Sequence, residues 1–451
     1  MKLLHSPWAA AVVVGLGWGV ALWGPGGVLG LVLGALALDR AITGDLLGDL
    51  GRGLLAGLLW QGLALGWVGA SWSAFGADAP ALVGLLWAAQ ALPLAIGFAI
   101  AGRGRTRAFG AGGLAFAALT AWMPVPLLPV YATTELVPLA WGAVLVGRAG
   151  LTALLWMWRG SPWIAVYVAL GAGWALAAPR VGSPLRIGLV EAGIGALDGR
   201  RASTAPDREA RLLAAVRALP PVDLVLTPEG AWPSDPGDAG GSRRRALRAA
   251  WAGLPPTVLG ADHPPWNSLI ALEGGVGARF DKHRLVPIAE RVWAGVGRER
   301  YSAGSGPRRL QIAGVELGPL VCYEDLFASD VRAASGAELL IAPSNDAWGG
   351  AGAWAHLAAA RFAAVEAGRW LARPTTSGVS AVVDPTGRLV WSTAFVDRDA
   401  HPEIGAITGV ADVRRVRWTA PGPWANAVLP WLVVLALSSR SRAAASSGCR
   451  G

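Results

Sequence analysis

The chain has 451 residues, of which 53% are hydrophobic and 15% charged, with a mean hydropathy of +0.44 and a formal net charge of +9. It is too apolar on average for a soluble enzyme, and the average hides two unlike parts: residues 1 to about 180 are almost free of acids, whereas 184–415 carry most of the charges, prolines and turn signals. The excess positive charge is thinly spread, nearly all arginine and without a basic run interleaved with aromatics, which excludes a nucleic-acid footprint.

In chain order, apolar runs near the ~20 residues a bilayer-crossing helix needs fall at 8–24, 26–43, 53–74, 81–101, 108–129, 135–157 and 162–178, with an eighth at 422–438. The second is interrupted by Asp39 and Arg40. The sixth carries Arg148 in mid-run, which must face the interior of a bundle or move the boundary. With a cytoplasmic amino terminus, Lys2, Arg40, Arg52, Arg103, Arg105, Arg107, Arg159, Arg440 and Arg442 fall on the inner side, and the short outer loops near 25, 75–80 and 130–134 hold no Lys or Arg. The expected organisation is therefore a membrane domain over 1–181, an extracytoplasmic domain over 182–415, a terminal transmembrane helix over 420–440 and a cytoplasmic tail over 441–451. The first span reads as an anchor, because further spans follow it with no cleavage site between.

Within 182–415, strand-like runs lie at Leu185–Val190, Val222–Leu226, Thr257–Gly260, Ser268–Leu272, Leu310–Ile312, Leu320–Cys322, Leu339–Ile341, Ser380–Val383 and Ala406–Val410. Helical patterns lie at Ala205–Ala218, Arg243–Ala252 and His356–Trp370. Strands alternating with helices, together with consecutive strand pairs, predict an α/β fold of stacked sheets flanked by helices. No phosphate loop or metal-ligand cluster is present in the pattern, so no cofactor is expected.

Three residues stand out chemically. Cys322 closes a short apolar run, and the only other cysteine, Cys449, sits in a Ser/Ala/Arg-rich tail, so a disulfide is not expected and the thiol is either inert or chemically used. Lysine is starved: only Lys2 and Lys282 occur, and Lys282 lies at a strand end in Phe280-Asp-Lys-His-Arg-Leu-Val-Pro287. Glu229 ends the run Leu224-Val-Leu-Thr-Pro-Glu, pinned between Pro228 and Gly230. A base, a compact cation and a thiol are the groups that covalent acyl chemistry needs. Each also has a plainer reading: a buried small hydrophobe, a surface lysine and a solvated loop glutamate. Asn267 and Asn345 are the only asparagines of this domain. The loop 291–305 with Trp293, and the Gly-rich 349–355 with Trp354, are candidate lids at a membrane interface.

The order Pro-Glu, Asp-Lys-x-x-Leu-Val-Pro-x-x-Glu, Cys-Tyr-Glu and Ser-Asn-Asp-Ala-Trp resembles the carbon–nitrogen hydrolase (nitrilase) superfamily, and its setting between seven spans and one resembles that superfamily's apolipoprotein N-acyltransferases. The resemblance implies an αββα sandwich with Glu229 as general base, Lys282 as oxyanion stabiliser and Cys322 as nucleophile. Glu290, Glu324, Tyr323, Asn345 and Trp348 match further positions near such a site, and Trp293 is placed with them. Thr227, Ala289, Gly349 and Thr376 depart from the family pattern, which usually has Trp, Gly, Phe and Asn there. The implied activity is transfer of a fatty acyl chain from a membrane phospholipid, through a thioester, to the α-amino group of a lipoprotein's diacylglyceryl-cysteine, by a monomer in a bacterial inner membrane. The alternatives are a membrane-anchored amidase that uses water as acceptor, and a non-catalytic membrane scaffold or transporter.

Overall fold

The computed structural model describes residues 6–20, 27–74, 80–103, 107–120, 142–157, 162–191, 193, 205–232, 245, 249–263, 265–293, 295–297, 299–347, 350–397, 401, 404–429, 431–432 and 435. The first part is helical: α1 (Pro7–Val20), α2 (Gly27–Ala41), α3 (Leu46–Ala74), α4 (Pro80–Ala101), α5 (Arg107–Thr120), α6 (Ala143–Met157) and α7 (Pro162–Ala177). These follow the apolar runs, with one clear correction. The third helix begins at Leu46 rather than 53: Asp45 caps it by accepting the Gly48 N–H at 3.0 Å, and Asp49, in the first turn, pairs with Arg52 at 2.6 Å. Among the described residues, one helix, α4, is by itself long and apolar enough to cross a bilayer. The helices pack through an aromatic cluster of Trp18, Trp60, Phe98, Phe116 and Trp156, with ring centroids 5.6–6.4 Å apart.

The second part is an αββα sandwich of two six-stranded sheets. One six-stranded sheet runs β12-β1-β2-β3-β4-β5, built from β1 (Ser183–Glu191), β2 (Leu224–Leu226), β3 (Thr257–His263), β4 (Trp266–Leu272), β5 (Val276–Asp281) and β12 (Ile407–Arg415). The other runs β11-β10-β9-β8-β7-β6, from β6 (Leu310–Ile312), β7 (Val315–Pro319), β8 (Leu339–Ile341), β9 (Leu371–Arg373), β10 (Ala381–Val383) and β11 (Leu389–Ser392). Inward side chains of both sheets, among them Ile187, Leu226, Val258, Leu317, Ile341 and Val382, form one buried core. The outer face of the first sheet is covered by α8 (Ala205–Arg217), through Leu212 and Val216. The outer face of the second is covered by α9 (Ala328–Ala334) and α10 (Gly350–Ala367), through Val331, Leu357 and Ala364.

Several elements differ from expectation, among them β7, β11 and α9, which the pattern did not predict. The expected strand Leu320–Cys322 is not one: β7 ends at Pro319, and Cys322–Leu326 is a 3₁₀ turn. β5 and β9 carry no strong alternation and escape a reading by periodicity. The expected helix 356–370 begins at Gly350 and ends at Ala367, so residues 350–355 of the proposed Gly-rich lid are its first turns, with Trp354 exposed. Half of the expected helix Arg243–Ala252 lies outside the described residues; Arg245, Ala249 and Ala250 are helical, and a turn follows at 251–253.

Candidate active site

Glu229, Lys282 and Cys322 each lie just past the end of a strand, β2, β5 and β7 in turn. Glu229 follows β2, where Thr227 Oγ1 accepts the Gly260 N–H at 2.9 Å and donates to the Val258 carbonyl at 3.3 Å, tying the segment to β3. Gly260 is required by close approach: a Cβ there would lie 1.8 Å from the Pro228 carbonyl oxygen. Thr376 Oγ1 donates to the Glu229 carbonyl at 3.0 Å. Both departures from the family pattern, Thr227 and Thr376, therefore have a local fit beside Glu229. Lys282 follows β5, and its backbone N–H bonds the Asn267 carbonyl at 2.9 Å.

Lys282 Nζ lies 2.8 Å from Glu229 Oε1 and 2.8 Å from Glu290 Oε1, and Asn267 donates to the same Glu229 oxygen at 2.6 Å. Burial works against the ammonium, yet the two carboxylates outweigh it and raise its pKa well above the ordinary lysine value. Glu290 also accepts the Val286 N–H at 2.7 Å, and its pKa is raised, by burial first, with Lys282 pulling the other way.

Cys322 opens the 3₁₀ turn with a φ of +51°, a left-handed conformation that is strained for a residue with a side chain. Its N–H still bonds the Pro343 carbonyl beside the sheet, at 2.9 Å. Burial pushes the thiol pKa well up, the Glu229 carboxylate adds to this, and Lys282 opposes it, so the resting group is a thiol that needs a base. Glu324, fully buried, accepts the N–H groups of Val321 (2.8 Å), His283 (2.8 Å) and Arg284 (3.3 Å), fastening the cysteine turn to the lysine loop.

The remaining expected residues are more scattered. The half-buried Tyr323 stacks edge-on against Phe327 at 5.0 Å, and its pKa is pushed up to about 12, chiefly by burial. Asn345 follows β8, with its Oδ1 buried and unpartnered among the described residues. Trp293 forms a tight backbone pair with Val296, and both pack against an apolar cluster made by the N-terminal helices with Phe362 and Val365 of α10. Trp348 and Gly349 lie outside the described residues.

A buried charged network beneath the turn was not anticipated. His356 Nδ1 lies 2.7 Å from Asp346 Oδ1, and its Nε2 lies 3.0 Å from Asp325 Oδ1 and 3.1 Å from the Cys322 carbonyl; Arg373 pairs with Asp346 at 2.7 Å. Burial opposes the charge on His356, but Asp325 and Asp346 outweigh it and raise the pKa to about 9, so the ring donates from both nitrogens. The signal in the sequence was compositional: His356 is one of only five histidines, in a helix otherwise rich in alanine.

A buried thiol, a glutamate and a lysine lie just past strands of two stacked sheets, the arrangement that the resemblance implies, and the carbon-nitrogen hydrolase family model matches residues 249–416, which hold Lys282 and Cys322. The chain is 34% identical over 382 residues to the apolipoprotein N-acyltransferase of Gloeobacter violaceus (77% of this chain, 65% of that protein), and 30% identical over 474 aligned positions to that of Caulobacter vibrioides (86% and 87%). The chain belongs to the apolipoprotein N-acyltransferase family. Among solved structures it is similar to an amidase from Nesterenkonia sp. (25% identity, 52% of this chain and 92% of that one, TM-score 0.36) and to Saccharomyces cerevisiae Nit3 of the nitrilase superfamily (18%, 51% and 90%, TM-score 0.40).

Proposed function

We propose that this chain transfers a fatty acyl group from a phospholipid to the α-amino group of a diacylglyceryl-cysteine at a lipoprotein's amino terminus, by two successive displacements at Cys322. The observation that carries the reading is the charge arrangement: one ammonium held between two carboxylates, beside a buried thiol on a strained turn. In the first displacement Glu229 takes the thiol proton as sulfur attacks the donor's ester carbonyl. This moves a proton without changing the net charge of the buried cluster. Lys282 faces the oxyanion. The tetrahedral adduct expels the lysophospholipid oxygen, which takes the proton from Glu229, leaving the acyl thioester. In the second, the acceptor amine attacks the thioester, Glu229 takes the amine proton, and the departing sulfur recovers it, so the thiol is restored and an amide is formed.

The apolar N-terminal helices give both lipid substrates a route to the site. We place residues 1–181 and 420–440 in a bacterial inner membrane, the 182–415 domain on its extracytoplasmic face, the 441–451 tail in the cytoplasm, and the active unit as a monomer. Trp293, packed where the loop after Lys282 meets those helices, is the side chain positioned to contact an acyl chain. The test is the purified protein with phospholipid vesicles and a synthetic diacylglyceryl-cysteinyl peptide, analysed by mass spectrometry. The reading expects the peptide to gain one amide-linked acyl chain and a lysophospholipid to appear. Release of free fatty acid with the peptide unchanged would identify a hydrolase instead.

A further inference from the structure

Arg148 stands in the middle of an apolar helix, where a charge needs a specific reason. It is buried, and its guanidinium reaches into the second part of the chain: Nε lies 2.6 Å from Glu366 Oε2 on α10, Nη1 donates to the Leu326 carbonyl at 3.0 Å, and Nη2 to the Asp325 carbonyl at 3.3 Å. Those two carbonyls close the 3₁₀ turn that Cys322 opens. The guanidinium also lies over the Phe362 ring, 5.4 Å from its centre.

The backbone around Arg148 is shaped for this reach. Gly147 has φ +69° and breaks the helix, and a Cβ there would lie 2.3 Å from the Gly422 carbonyl oxygen and 2.6 Å from Asn426 Oδ1. The Ala149 N–H next to the break is taken by Asn426 Oδ1 at 2.8 Å, and Asn426 Nδ2 donates to the other oxygen of Glu366. The guanidinium thus ties α6 to α10 and to the Cys322 turn, while Asn426 braces Glu366 and the helix break, and the guanidinium fork is the group able to satisfy a carboxylate and two carbonyls together.

We infer that Arg148 is a positioning residue for the acyl-transfer reaction: from the N-terminal helices it fixes the carboxyl end of the nucleophile turn, and through it the strained backbone that aims Cys322. This rests on the reading of Cys322 as nucleophile, and the test separates the two. The full-length protein in detergent is compared with Arg148→Lys and Arg148→Gln by two measurements: alkylation of Cys322 by iodoacetamide across pH, which needs no lipid, and single-turnover acylation by labelled phospholipid at several concentrations. The lysine variant keeps a charge opposite Glu366, so it reports even if the glutamine variant does not fold.

The inference expects the acylation rate constant per titratable thiol to fall at least about tenfold, with the half-saturating donor concentration within about twofold of wild type and a displaced pH profile of alkylation. A variant with a lowered melting temperature but a wild-type rate constant and pH profile would overturn it. So would a change confined to donor half-saturation. Slowed alkylation in the variants, with no acylation even of wild type, would leave the positioning role standing and reject the transferase reading.

Discussion

Lys282 carries the electrostatics of the site. Its Nζ has no exposed surface and two carboxylates at 2.8 Å, so the space is cut to an ammonium. A planar guanidinium of larger span cannot sit between Glu229 and Glu290 without displacing one of them. Lys282→Arg should therefore be nearly as inactive as Lys282→Ala: loss of one such donor costs about 2.7–4 kcal/mol in the transition state, roughly a hundred- to thousandfold in rate. Single-turnover thioester formation measures it, and acylation of the arginine variant within a few-fold of wild type would show that the ammonium is dispensable. The sequence disclosed this residue through its own scarcity, since a chain that writes arginine elsewhere kept one lysine here. It disclosed Asn267 only as a rare residue, because its bond to Glu229 depends on β3 and β4 pairing across a hairpin, which no local pattern encodes.

At the scale of elements, the turn Cys322–Leu326 is held from three sides: by the lysine loop, whose His283 and Arg284 N–H groups donate to Glu324, by His356 from α10 and by Arg148 from α6. His356 gives this arrangement a pH signature. Its folded pKa of about 9 lies above the ordinary 6.5, so the stabilisation it gives is complete below 6.5, falls as pH rises and is lost above about 9. The melting-temperature difference between wild type and His356→Gln should therefore be largest at pH 6 and shrink by pH 9.5; His283, raised to a similar pKa by Asp330 and Glu324 against its burial, titrates in both proteins and cancels. A difference that is constant or grows with pH would mean the ring is neutral. The turn also marks where sequence reading fell short. The apolar run up to Cys322 continues a strand by composition, and Leu320 and Cys322 still bond the neighbouring segment. A positive φ at Cys322 nevertheless ends the strand character, and nothing in side-chain periodicity reports a backbone angle.

For the whole molecule, the two parts legible from composition meet through a built junction. Arg148, flagged by its position in an apolar run, joins Glu366, whose burial within α10 follows from packing and not from its own sequence neighbours. Removing either partner leaves a buried charge alone, a loss of about 3–5 kcal/mol where such pairs are broken, so the junction constrains how the helices sit against the sandwich. The same junction brings an apolar cluster of the N-terminal helices against α10 and the loop bearing Trp293. The central claim, that Cys322 carries the acyl group between two lipid substrates, is tested most directly by incubating the membrane-embedded protein with acyl-labelled phospholipid and no acceptor. The account predicts label on wild-type protein in a hydroxylamine-sensitive bond at Cys322, none on Cys322→Ala, and its discharge onto an added diacylglyceryl-cysteinyl peptide; label that persists on Cys322→Ala, or that the peptide cannot remove, would contradict it.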